Sequence, residues 1–247
     1  MKNFKNIKIA GISMLLLTLF SCNLEPEIHS TVTNYPIMSL KGDQTVFVPL
    51  GSAYNDPGIT ATENGVEIAY TSTAVGVYRK GNKLDTNIAD QYTQTYKATN
   101  KDGFSNTITR TVIVYKNGDL VNSIEGLYTS TVARNGTIPS DAYRNIEYVH
   151  IWKNTDGTYG VSDAFGGWYE YGRAIPDSET PGGIINAVNI PTNSFTFPGT
   201  LTNTYFGGTA KITGFTANAT TKTTVLTCSW LAPTAYTFVS TLKQVQP

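Results

Sequence analysis

Residues 146–173 concentrate the side chains whose chemistry could recognise a ligand. His150, Asp163 and Glu170 carry titratable groups, and Tyr148, Trp152 and Trp168 carry aromatic faces. Two of the three tryptophans and one of the two histidines fall within these 28 residues. That combination is the chemistry of a sugar site, where rings pack on the apolar side of a pyranose while carboxylate and imidazole groups bond its hydroxyls. The plain alternative is that the aromatics are core packing and that Asp163 caps a turn or bonds backbone.

Position decides between these readings. Gly166-Gly167 as a two-residue hairpin turn pairs Phe165 with Trp168 and Asp163 with Glu170. Asp156-Gly157 as a second two-residue turn pairs Trp152 with Val161 and His150 with Asp163. One face of three strands then carries Tyr148, His150, Trp152, Val161, Asp163, Phe165, Trp168 and Glu170, and the other carries Val149, Ile151, Ser162, Ala164, Tyr169 and Tyr171. Directly opposed carboxylates repel, so this register needs a protonated His150, a ligand or a cation between Asp163 and Glu170. A four-residue loop at 154–157 would set Asp163 opposite Tyr148, and a three-residue loop would transfer it to the other face.

Other chemistries have weaker footing. No HxxxH, HExxH or paired-cysteine spacing supports a metal site, and no cofactor motif is present. There is no Gly-x-Ser-x-Gly elbow, and Cys228 lies in the apolar run 225–231 as an inert core thiol. The expectation is a protein that is not an enzyme.

The N-terminus places these residues in the cell. Lys2, Lys5 and Lys8 precede an apolar run at 12–20 that is too short to span a bilayer, which predicts a signal peptide over 1–21. Leu19-Phe20-Ser21-Cys22 resembles the lipobox of bacterial lipoproteins, which implies lipidation of Cys22 and membrane attachment through that anchor alone. Residues 22–34, with Glu25, Pro26 and Glu27, read as a tether. Asn23-Leu24-Glu25-Pro26-Glu27 is a partial version of the acidic signal that exports Bacteroidetes lipoproteins to the outer face of the outer membrane. The chain has 18 basic and 18 acidic residues, and cleavage removes three lysines and no acid, leaving an excess of three acids. Such a chain offers no footprint for nucleic acid. With Cys22 in the anchor, Cys228 has no partner for an intramolecular disulfide.

The elements that must hold the site are all β. From 35 to 116, short β-rich runs alternate with Asp56-Pro57-Gly58, Glu63-Asn64-Gly65 and Lys101-Asp102-Gly103, the turn chemistry of an immunoglobulin-like sandwich. Gly51-Ser52-Ala53-Tyr54-Asn55-Asp56-Pro57-Gly58-Ile59-Thr60-Ala61, with Tyr92, Tyr96, Ala98-Thr99-Asn100, Gly103 and Thr111-Val112-x-Val114, is similar to bacterial Ig-like modules of surface proteins. The family commonly has glycine where this chain has Asp90, and residues 79–87 are an insertion. Tyr92 is either a tyrosine corner or a core residue.

Residues 120–247 predict about nine strands, at 126–134, 146–154, 158–165, 168–175, 183–190, 194–197, 210–219, 222–231 and 236–245, with 198–208 as a loop. Sequential hairpins of this number close into a lipocalin-like antiparallel barrel or fold into a two-layer β-sandwich. Residues 162–173, preceded by Tyr148, Ile151, Asp156-Gly157 and Tyr159, are similar to the C-terminal β-domain of Bacteroidetes cell-surface lipoproteins that carry an Ig-like module. The resemblance implies a place beside glycan-uptake or adhesion systems and no assigned catalytic residues. Two functions remain open: glycan capture on the cell surface, or a structural or adhesion role against an outer-membrane transporter or lipoprotein partner.

Overall fold

The computed structural model describes residues 32–232 and 235–246; the expected signal peptide, Cys22 and the tether as far as residue 31 lie outside them. The N-terminal module contains β1 (Ile37–Leu40), β2 (Thr45–Pro49), β3 (Ile59–Glu63), β4 (Val66–Glu67), β5 (Tyr70–Gly76), β6 (Asp90–Thr99) and β7 (Ser105–Tyr115). They form two sheets, ordered β1-β3-β4 and β2-β7-β6-β5, with β2 parallel to β7 and the other pairs antiparallel. Every second residue of β6 is buried, so Tyr92, Tyr96 and Ala98 enter the core as the strand period requires.

The turn residues read from the sequence organise this module through side chains. The Asp56 carboxylate accepts hydrogen bonds from the buried Arg110 guanidinium at 2.7 Å, from Gln94 at 2.8 Å, from the Tyr96 hydroxyl and from the Gly58 N–H. A charge as buried as Arg110 persists only with partners of this quality. The Tyr92 hydroxyl donates to the carbonyls of Asp85 (3.0 Å) and Ile88 (3.2 Å), so it is a tyrosine corner tying down the inserted loop. Asp90 takes the N–H groups of Tyr78, Arg79 and Gln91 and holds the start of the insertion.

The second module contains β8 (Gly126–Arg134), β9 (Ile146–Lys153), β10 (Tyr159–Val161), β11 (Gly183–Asn189), β12 (Ser194–Thr196), β13 (Leu201–Asn203), β14 (Gly207–Asn218), β15 (Thr223–Ala232) and β16 (Tyr236–Gln244). All nine lie in one antiparallel sheet, ordered β12-β11-β10-β9-β8-β16-β15-β14-β13. Two meanders, one running out from β8 and one returning to β16, join where the first and last strands pair. The sheet curls until Phe195 of β12 meets Phe215 of β14 edge-on at 5.0 Å. It stops short of a hydrogen-bonded barrel, because its edges β12 and β13 are only three residues long and do not pair with each other. The fold is a curled half-barrel behind an Ig-like sandwich.

Three expected elements differ. The strand expected at 158–165 ends at Val161, because the chain turns at Asp163. The loop expected at 198–208 contains β13 and the start of β14. The strand expected at 168–175 is instead a π-helical turn, Trp168–Gly172. Gly166 and Gly167 both have positive φ (63° and 83°), and the Trp168 N–H bonds the Phe165 carbonyl at 3.3 Å, so the tight turn forms. The chain then coils, with the Tyr171 and Gly172 N–H groups bonded to Gly167 and that of Arg173 to Trp168. No hairpin follows the turn.

The segment between β10 and β11 fills the concave side of the sheet. Phe165 stacks on Phe238 of β16 at 4.2 Å and packs against Trp230 of β15 at 5.5 Å, and Tyr169 lies between Trp230 and Phe206. Trp168 is 1% exposed, with Tyr143 at 4.1 Å and the Arg134 guanidinium over its ring at 4.9 Å. The aromatic residues of 165–169 are therefore the core of the half-barrel.

Candidate functional site

The loop between β9 and β10 decides which side chains share a face. Lys153 pairs with Tyr159, Trp152 with Gly160 and Ile151 with Val161, and the Asn154 N–H bonds the Thr158 carbonyl. The loop is the three residues 155–157, not Asp156-Gly157 alone. That one-residue change moves Asp163 off the face of His150, because the side-chain period of a strand is two. His150 instead faces Ser162: the Ser162 N–H bonds the His150 carbonyl at 2.9 Å, and the His150 N–H bonds the Ser162 hydroxyl at 2.9 Å. The expected row of His150, Asp163 and Glu170 across three strands does not form.

Asp163 is buried and accepts three backbone hydrogen bonds, from Phe165 (2.9 Å), Gly167 (2.9 Å) and Thr180 (3.0 Å). It shapes the turn and the plug, which is the plain structural role open to it in the sequence. Burial pushes its carboxyl up to about 6 despite those bonds, and Glu170 adds to the rise. Glu170 is half-buried and accepts the Ser178 N–H at 2.7 Å. Among the described residues, no group of three His, Cys, Asp or Glu side chains is placed to hold a metal ion.

Tyr148, His150 and Trp152 stay together on the outer face of β9, and the Ig-like module covers that face. The Tyr78 ring stacks on the Trp152 indole at 5.7 Å and 18°, and the Tyr78 hydroxyl donates to Glu179 at 2.8 Å. Phe47 of β2 meets Tyr148 edge-on at 5.5 Å. Trp152 can lie flat here because Gly160 is its cross-strand neighbour; a Cβ at Gly160 would overlap the indole. His150 packs against Trp152 at 5.8 Å, is 3% exposed, and has no hydrogen-bond partner at either ring nitrogen among the described residues. Burial, with the nearby Arg79 charge, lowers its imidazole to about 4, so it is neutral at physiological pH.

A bulge brings Tyr148 to the edge of this contact. In the β8–β9 pairing, Tyr128 faces Val149 and Thr129 faces Glu147, so Tyr148 is the extra residue. The bulge lets Ile146 and Val149 both enter the core while Tyr148 projects toward the other module. There a cleft of about 220 Å³ opens, walled by Glu147, Tyr148 and Tyr171 from the β-domain and by Thr45, Gln91 and Thr111 from the Ig-like module. Tyr148 is half-buried and Tyr171 is 40% exposed, and both line the cleft. Burial and the carboxylates of Glu179, Glu170 and Asp163 raise the Tyr171 hydroxyl, which stays protonated and able to donate.

Of the six residues expected to bind ligand, only Tyr148 lines this cleft. Trp152 and His150 lie in the seam, Trp168 and Asp163 in the core, and Glu170 beside the loop that carries Ser178. Nothing in the local sequence of Glu147, Gln91 or Tyr171 marks them as ligand residues; only the docking of the two modules brings them together.

This architecture defines a two-module, all-β protein. Residues 38–114 match the family model described as a bacterial surface protein, Ig-like domain. Residues 117–244, more than half of the chain, match the model of a C-terminal domain family that is BT2262-like, and the chain belongs to that family. The fold is similar to the crystal structure of the lipoprotein BT2262 from Bacteroides thetaiotaomicron, with a TM-score of 0.61 and 24% identity over 85% of this chain and 100% of that one. No curated protein matches the chain.

Proposed function

We propose that the protein is a lipid-anchored lipoprotein on the outer face of the outer membrane, and that it captures a glycan without catalysis at the cleft between its two modules. The observation that carries this reading is the pairing of two tyrosine rings in the cleft wall, Tyr148 and Tyr171, with the amide of Gln91, the carboxylate of Glu147 and two threonine hydroxyls. Rings offer stacking surface for a sugar, and the polar groups around them bond its hydroxyls. The Ser21-Cys22 motif and the similarity in fold to a lipoprotein support the anchor. The Ig-like module serves as one wall of the site as well as a spacer.

Affinity electrophoresis of the mature protein through a panel of polysaccharides tests the reading. Retardation by at least one glycan, with no new reducing ends on long incubation, is the expected outcome. Release of reducing ends would make the protein a hydrolase. Replacing Cys22 with Ala is expected to free the protein from the membrane fraction.

A second reading has its own observation. Tyr148, His150 and Trp152 are engaged in joining the modules, which suits a rigid structural or adhesion component beside an outer-membrane partner. Crosslinking on intact cells that recovers a transporter or lipoprotein partner, with no glycan retarding the protein, would favour it.

A further inference from the structure

The charge of the cleft bears on which glycans it can accept. Glu147 is exposed and lines it, while none of the other lining side chains is cationic. Beyond the lining, the carboxyl groups of Glu179, Glu170 and Asp163 also act on the Tyr171 hydroxyl. Glu179 is itself affected by Asp163, Glu170 and Asp177, so four carboxyl groups cluster on this side of the seam. Fields in a low-dielectric cleft lined by one sign of charge are focused, and they repel ligands of the same sign.

The volume sets a second limit. At about 220 Å³ the cleft is smaller than the roughly 300–1,000 Å³ of pockets that enclose a drug-sized ligand. That volume is on the scale of one sugar ring, with Tyr148 and Tyr171 both in the wall, and leaves the rest of a chain outside.

Building on the glycan reading, we propose that this cleft holds a single uncharged pyranose unit and excludes glycans bearing uronate or sulfate groups. Glu147 accepts hydrogen bonds from ring hydroxyls, Gln91 and the threonine hydroxyls both donate and accept, and Tyr171 donates. A carboxylate or sulfate on the same ring would meet Glu147 with no cation among the lining residues to offset the repulsion. The exclusion weakens with salt, because the screening length falls from about 10 Å at 0.1 M to about 3 Å at 1 M.

The test uses the mature protein at pH 8 against neutral probes (dextran, galactan, mannan, xylan) and anionic probes (polygalacturonate, alginate, dextran sulfate). Each is run at low and high NaCl for the wild type, Glu147→Gln and Glu147→Lys. The expected result is retardation by a neutral probe, with anionic probes at least tenfold weaker in low salt. That gap should narrow in high salt and in Glu147→Lys, whose altered residue is exposed and outside the core. Equal or stronger binding of an anionic probe by the wild type overturns the charge selection while leaving glycan capture standing. Retardation by no probe of either class overturns glycan capture and this inference with it.

Discussion

The Tyr78 ring lies on the Trp152 indole at 5.7 Å and 18°, and this stack fastens the Ig-like module to the half-barrel. The same tyrosine donates to Glu179, so the residue just before the inserted loop contacts both the sheet and the loop between β10 and β11. An offset-stacked pair contributes about 0.5–1.5 kcal/mol beyond its buried area. Tyr78→Ala is therefore expected to loosen the seam without unfolding either module. Calorimetry should show one transition resolving into two, and a single unchanged transition would mean that other contacts couple the modules.

Gly160→Ala tests the same seam from below. The added methyl displaces the Trp152 indole, so Trp152 leaves Tyr78 and becomes exposed. Quenching of Trp152 emission by iodide, read in a variant where Trp168 and Trp230 are replaced by Phe, should rise. Unchanged quenching would show that the indole has room to shift within the seam.

Trp168 distinguishes core from site. It sits 1% exposed among Tyr143, Phe238 and the Arg134 guanidinium. Trp168→Ala should cost about 3–5 kcal/mol in urea denaturation, as large aromatic truncations in cores do. Glycan affinity of the remaining folded protein should be unchanged; a selective loss of affinity at full stability would return Trp168 to a binding surface.

Much of this fold is legible in the sequence because its signals are local. The strand expected at 126–134 matches β8, and Asp56-Pro57-Gly58 and Lys101-Asp102-Gly103 mark real turns, since alternation and turn chemistry act over a few residues. The site is less legible for two physical reasons. Asp156-Gly157 suits a two-residue turn and equally a three-residue one with glycine in the left-handed position, where Gly157 has φ 88°, and the choice moves Asp163 to the other face. Gly166-Gly167 forms the expected turn, but whether a strand or a coil follows depends on Asp163 holding the Gly167 and Thr180 N–H groups, which are distant partners in sequence. The outer face of β9 looks like a ligand platform until the Ig-like module covers it.

Stability should fall as pH rises through about 6 and then 7. Asp163 and Glu179 are raised in the folded protein to about 6 and about 7, chiefly by burial, so the fold binds more protons than the unfolded chain. The stability they contribute is present below their ordinary values near 4 and is lost on ionisation. His150 acts in the opposite sense, because its value of about 4 lies below its ordinary 6.5 and stability from it grows between those values. Melting temperatures should decline from pH 5 to about 7 and level off between 7 and 8, and Glu179→Gln should reduce the decline below pH 7. An identical slope in that variant would contradict the assignment.

Asp163→Asn separates geometry from charge. The amide keeps an acceptor for Phe165 and Thr180 but turns its NH₂ toward the Gly167 N–H. One buried donor left unpaired costs about 1–3 kcal/mol. The variant should be destabilised by that amount at pH 5, with less of the decline below pH 6; full stability would show that the turn at Gly166-Gly167 does not depend on Asp163.

The central claim is that Tyr148 and Tyr171 form the contact ground for a glycan. Calorimetric titration of the retained glycan into wild type, Tyr148→Ala and Tyr171→Ala measures it most directly, with circular dichroism confirming that each variant is folded. Loss of a stacking ring is expected to weaken binding about tenfold or more in each variant, tenfold being about 1.4 kcal/mol. Wild-type affinity in both folded variants would contradict the account and move the site away from the seam.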